Sequence, residues 1–207
     1  MELKERIILG AFEKFAKYGI RRVTMDQIAS DLGISKRTLY EIFRDKRKLL
    51  SDGMKYYSGL KHAEAEETIR TSGNVIEAIY ILVKQSEEMK QKLNPLFFED
   101  IIKYYPEVHT MSVSKSRDRD YNLTHKLIKK GISEGLFKRE LNVGLVNHFF
   151  HVVMNILMNE EHFPREQYPH EEIFRNIVMP YLIGISTEKG HEQIRKYFEK
   201  EIKYRTE

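Results

Sequence analysis

The stretch Thr24-Met-Asp-Gln-Ile-Ala-Ser-Asp-Leu-Gly-Ile-Ser-Lys-Arg-Thr-Leu-Tyr-Glu-Ile-Phe43 decides the reading of this chain. Thr24 precedes an apolar-periodic run and is placed to cap a short helix. Ile28, Ala29 and Leu32 share one face of that helix. Ala29 is small where two helices must approach. Gly33 stands at the helix end, where glycine alone turns left-handed without penalty. Ile34 plugs the turn and Ser35 caps the next helix. That second helix buries Leu39, Ile42 and Phe43 and leaves Lys36, Arg37, Thr38 and Tyr40 outward. Two short helices, a tight glycine turn and donors near the second N-terminus are the parts of a helix-turn-helix. Such a motif brings side chains against base edges in a major groove.

Read singly, each residue has a plainer account. Ala-x-x-x-Gly recurs in many helical hairpins, Lys36 and Arg37 suit a solvated surface, and Tyr40 suits a half-buried helix position. The conjunction of Ala29, Gly33, Ile34, Leu39 and Ile42 with a cationic outer face carries the reading. With Ala11-Phe12, Phe15, Gly19, Thr24, Thr38-Leu39-Tyr40, Phe43, Lys46 and Leu49, residues 7 to 50 resemble the N-terminal domain of the TetR family of bacterial transcription regulators. The resemblance covers about a quarter of the chain. It departs at Arg37, where the family often has glycine, at Ile42, where it often has an aromatic, and at Arg47, where an acidic residue is common.

The charge distribution points the same way. Residues 1 to 50 hold 12 Lys/Arg against 7 Asp/Glu, and the other 157 residues hold 23 against 24. A DNA binder concentrates cations where it meets phosphates. The chain has 207 residues, 41% of them hydrophobic and 32% charged, which fits a globular protein with a real core. It has no cysteine, so disulfides and thiolate chemistry are excluded and a reducing compartment suits it. Without a long apolar run or an apolar leader core, a cytoplasmic location is expected.

The rest of the chain reads as helix after helix. Residues 2 to 18 carry an apolar stripe ended by Gly19. Asp45 caps a fourth helix running to about Arg70. A helix over 75 to 93 ends at Asn94-Pro95. A short aromatic one, Leu96 to Tyr105, is stopped by Pro106. A long helix over about 107 to 134 has a polar middle, Ser114 to Asp120, that leaves its start open. Asn142 caps a helix over 143 to 159 that is apolar nearly all round. Residues 161 to 170 read as a loop. Pro180 should kink a helix over 171 to 186. Thr187 caps a charged final helix whose inner face includes Ile194, Tyr197, Phe198 and Ile202. The fold class expected is all-α, about nine or ten helices. It divides into a helix-turn-helix domain over 1 to 48 and a ligand-sensing and dimerisation domain over 49 to 207.

By this resemblance, Arg37, Lys36 and Thr38 reach base edges, and Thr24, Ser35, Tyr40 and Lys46 reach phosphates of a double-stranded operator. The two apolar helices supply a homodimer interface through Val146, Phe149, Phe150, Val153, Ile177, Val178, Tyr181 and Leu182. Tyr57, Tyr80, Met89, Phe97, Phe98, Tyr104, Tyr105, Met111, Met154 and Met158 are candidates to line a pocket for an unknown small-molecule effector. They serve equally well as core. His148 and His151, with His109 and His125 upstream, lack a supporting carboxylate and read as core or interface rather than metal ligands. No phosphate-binding glycine loop, nucleophile elbow or dinucleotide fingerprint is present, so no cofactor and no enzyme activity are expected. The function expected is a sequence-specific transcriptional regulator, a repressor released by its ligand. The alternatives are a sequence-indifferent DNA architectural protein and a helical small-molecule carrier.

Overall fold

The computed structural model describes residues 2–157, 159, 161–164 and 166–199. Met158, assigned above to a pocket, Ile202 of the last helix and Glu160 lie outside them. Among the described residues the chain is ten helices with a single isolated bridge, Phe137 to Ser186, and no strand. None of these helices is long and apolar enough to cross a membrane. The helices are α1 (Leu3–Tyr18), α2 (Met25–Asp31), α3 (Lys36–Ile42), α4 (Lys46–Thr71), α5 (Val75–Lys92), α6 (Pro95–Tyr104), α7 (Pro106–Ser133) and α8 (Val143–Leu157). Next is α9, formed by the consecutive segments His170–Ile173, Phe174–Val178 and Met179–Ile185, and last α10 (Glu188–Tyr197).

The boundaries follow local chemistry. Thr24, Ser35, Asp45, Asn142 and Thr187 each accept a backbone N–H of the turn they precede, as the sequence predicts. At Thr24 the cap is reciprocal: its hydroxyl accepts from Gln27 N–H, and its own N–H donates to Gln27 Oε1 at 2.8 Å. Gly33 turns at φ +63°, the left-handed conformation the turn requires.

Three details differ from expectation. Pro106 does stop α6, but it also opens α7 at the first position, where the missing N–H costs nothing. The polar middle of α7 does not interrupt it. Pro180 does not simply kink α9: the turn before it widens to π geometry over Phe174–Val178, with Met179 N–H donating to Phe174 O. A proline cannot donate to the carbonyl four residues back, and a π-turn is one way a helix absorbs that.

The chain packs as two compact units, residues 1–64 with 84–118, and residues 65–83 with 119–207. In the first, Ile7, Phe15, Ile20, Ile28, Leu39, Phe43 and Leu50 are fully buried in one core, with Ala29 and Leu49 all but closed off beside them. Phe97 and Ile101 of α6 close the same core. Gly53 lets α4 lie against α1; a Cβ there would sit 2.6 Å from the Phe12 ring.

In the second unit the core gathers Val75, Ile76, Leu136, Phe137, Leu182, Ile194 and Phe198. Helix α8 faces it in an inverted sense. Its buried face centres on Asn147, at 0% exposure, whereas Leu145 and Phe149 are 66% and 55% exposed. Asn147 Nδ2 donates to Tyr121 O at 3.0 Å, and Asn147 Oδ1 lies 2.5 Å from Thr124 Oγ1. The same hydroxyl lies 3.0 Å from Asp120 O and 2.6 Å from His151 Nε2, so Asn147, Thr124 and His151 form one polar cluster between α7 and α8. Burial, with a smaller contribution from the neighbouring His148, lowers the His151 pKa.

Candidate nucleic-acid interface

Helix α3 is held from below by Leu39, fully buried, and Phe43 at its end. Its first turn is capped by Ser35, whose Oγ accepts Thr38 N–H at 3.0 Å. The Ser35 and Thr38 hydroxyls also lie 2.8 Å apart. This leaves Lys36, Arg37 and Tyr40 exposed together, and Thr38 half-buried beside them. Arg37 is the most open, with its side chain 88% exposed.

The cations on this face are already engaged. Lys36 is ion-paired with Asp26 of α2, and Arg37 Nε donates to Glu41 Oε1 at 2.9 Å. Exposed pairs of this kind stabilise by only about 0–1 kcal/mol, so they hold these two cations in place only weakly. Ile34 is half-buried rather than enclosed, and it packs against the core from its rim.

Lys46 is placed differently. It is half-buried, its Nζ donates to Arg21 O at 3.3 Å, and it lies 5.8 Å from the centre of the Phe15 ring. Burial lowers its pKa, and the Asp100 carboxylate opposes that by favouring the charged form. The loop Gly19–Val23 is pinned on α6: Arg21 N–H donates to Asp100 Oδ2 at 2.7 Å, and Arg21 Nη1 donates to Tyr104 Oη at 3.0 Å. Asn94 adds an N–H donated to Ala16 O at 2.8 Å and an Nδ2 donated to Lys17 O at 3.0 Å.

Sequence reasoning missed Asp26, Gln27 and Asp100 as supports. Gln27 was visible as the fourth residue of a Thr-x-x-Gln capping pattern. Asp100 lies 79 residues from Arg21 and left no local signal.

The residues assigned to a pocket fall into separate surroundings. Tyr57 stacks on Phe12 with ring centres 4.2 Å apart, and Phe97 and Tyr105 pack on the same core. Met89, Phe98, Tyr104 and Met111 are exposed. In the second unit, Tyr80 meets the Phe198 ring edge-on at 5.1 Å, and Met154 is half-buried.

Of the residues assigned to an interface, Phe149 and Ile177 are exposed, and Val146, Phe150, Val153, Val178 and Tyr181 are half-buried. Leu182 lies in the core of its own unit. Tyr181 donates its hydroxyl to Val146 O at 3.0 Å and stacks on Phe150, which joins α8 to α9; burial pushes its phenol up to about 12. Among the described residues no three His, Asp or Glu side chains converge as a metal site.

Residues 7–52 match the family model for bacterial regulatory proteins of the tetR family. Over 59 residues, 28% of the chain, the sequence is 44% identical to an uncharacterized HTH-type transcriptional regulator, YerO, of Bacillus subtilis. That match spans only 20% of the relative's length. In fold, the chain resembles a transcriptional regulator from Cytophaga hutchinsonii, with a TM-score of 0.68 at 24% identity over 88% of this chain and 98% of the other. It also resembles the protein of a SmeT–triclosan complex, with a TM-score of 0.60 at 15% identity over 90% and 93%.

Proposed function

We propose that the chain, which belongs through residues 7–52 to the tetR family of bacterial regulatory proteins, is a homodimeric repressor of transcription whose hold on operator DNA is released by a small molecule. The functional division is a DNA-reading domain over 1–48 and a sensing and dimerising domain over 49–207. One observation carries the reading: a short, capped, core-anchored helix presents Lys36, Arg37 and Tyr40 to solvent beside a half-buried Lys46. Arg37, Lys36 and Thr38 read base edges; Thr24, Ser35, Tyr40 and Lys46 position the phosphate backbone.

Pairing of two copies has its own support. Leu145, Phe149, Val152 and Ile156 are exposed and spaced along one face of α8, with Ile177 and Ile183 of α9 also exposed. Apolar stripes of this length suit a two-fold interface better than solvent. Leu182 serves the core, and Val146, Phe150, Val153, Val178 and Tyr181 form the partly covered margin. A dimer sets two recognition helices on half-sites about 34–36 Å apart or a multiple of it. The effector half rests on analogy with the triclosan-bound fold neighbour and on the aromatic and Met residues of the body. A transcription regulator of this kind works in the cytoplasm, where its DNA is.

The test is a competition experiment with the full chain. Its binding to a selected operator, measured against random duplex at physiological salt, should favour the operator by about 10³ or more. Equal affinity for both would favour an architectural DNA binder, and binding to neither a small-molecule carrier.

A further inference from the structure

Resting on that reading of DNA binding, we infer that Arg22 and Arg44 form a phosphate clamp with Lys46 at the edge of the recognition motif. Several cations of the same unit are already engaged. Lys14 pairs with Asp31, Lys36 with Asp26, Arg37 with Glu41, Arg47 with Glu107 and Lys48 with Asp52. Arg21 is spread on the Tyr104 ring, 5.0 Å from its centre. Arg22 and Arg44 are exposed, and among the described residues neither has an ion pair or a side-chain hydrogen bond.

One hydrogen bond joins the two chain segments that carry them. Lys46 Nζ holds the carbonyl of Arg21, which brings the first turn of α4 against the loop between α1 and α2. Arg22 follows that carbonyl directly, and Arg44 precedes Lys46 by two residues. Each arginine is fixed at its base by a buried neighbour, Val23 in one case and Phe43 in the other. Two exposed arginines therefore leave the chain within two residues of the Lys46–Arg21 hydrogen bond, Arg22 on the loop side and Arg44 on the α4 side.

The chemistry favours a phosphate. A guanidinium offers paired donors to two phosphate oxygens. An unpaired cation releases a full share of condensed counterion, whereas one that keeps its carboxylate beside it, as Lys48 keeps the largely covered Asp52, brings a negative charge along and releases less. These two arginines carry no base information and so act on all sequences alike.

The experiment measures the dependence of log K on log salt for the full chain on both the selected operator and random duplex. Arg22→Gln and Arg44→Gln should each lower the slope by about 0.9, and the double variant by about twice that. The loss should be equal on both DNAs. Arg22→Lys and Arg44→Lys should keep the slope. Lys48→Gln, which removes a cation already paired with Asp52, should leave it unchanged. Wild-type slopes in the two glutamine variants, or a decrease no larger than that of Lys48→Gln, overturn the clamp alone. A wild-type chain that binds no duplex overturns both the clamp and the DNA-reading function. Both arginines are exposed, so circular dichroism should report unchanged folding in every variant.

Discussion

The backbone N–H of Arg21 donates to the buried carboxylate of Asp100 at 2.7 Å. This one bond ties the loop leading into α2 to the face of α6, and the Arg21 carbonyl on the other side of the residue takes up Lys46. The loop that precedes the DNA-reading motif is therefore set by a residue far away in sequence.

Removing that carboxylate should unlock the loop. Asp100→Ala leaves a part-buried N–H without its acceptor, which costs about 1–3 kcal/mol. Asp100→Asn keeps an acceptor oxygen and should recover most of the loss. Chemical denaturation of the two variants checks this; equal stability of Asp100→Ala and wild type would contradict it.

Arg37 and Lys46 should fail in different ways. Arg37→Ala is expected to cost about 1–3 kcal/mol on the preferred site and to relax discrimination at one or two base pairs. Lys46→Ala should weaken all sequences alike and lower the salt slope by about one. Binding isotherms on operator variants and on random duplex separate the two. Equal losses on specific and random DNA for Arg37→Ala would remove its base-reading role.

The α8 stripe should decide the assembly state. Phe149→Asp places a charge in the middle of the exposed apolar face, touching the Tyr181 ring but not the buried core. Sedimentation at micromolar concentration should show wild-type dimer and variant monomer, with circular dichroism unchanged. A wild-type monomer at that concentration would count against the interface.

His151 should make the second unit acid-sensitive. Its pKa is lowered in the folded chain, so below the ordinary imidazole value the unfolded chain binds more protons than the folded one. The stability it contributes is complete above about pH 6.5 and is lost as pH falls from there through its lowered folded value. Thermal unfolding at fixed protein concentration should show this loss, and His151→Gln should flatten it. An unchanged pH dependence in the variant would contradict the assignment.

Local chemistry was the legible part of this molecule. Thr24, Ser35, Asp45, Asn142 and Thr187 each announce a helix start, because a cap needs only its own turn. Gly33 does the same for the motif's bend. The π-turn before Pro180 was not legible: a proline says that a bond is lost, not how neighbouring carbonyls are rearranged. Nor was the inward face of α8. Its apolar residues suggest burial all round, yet Asn147 is enclosed because Thr124 and Tyr121 O satisfy it from α7. The exposed donors of α3 could be read from spacing, whereas their carboxylate partners Asp26 and Glu41 required the fold to be seen.

Selection of bound sites from a random duplex pool, using the full chain, tests the central claim most directly. A two-fold symmetric sequence whose half-sites lie one helical turn, or a multiple of it, apart should be strongly enriched, with the sharpest preference under Arg37. Recovery of duplexes with no shared sequence, or of a single unsymmetrical half-site, would contradict it.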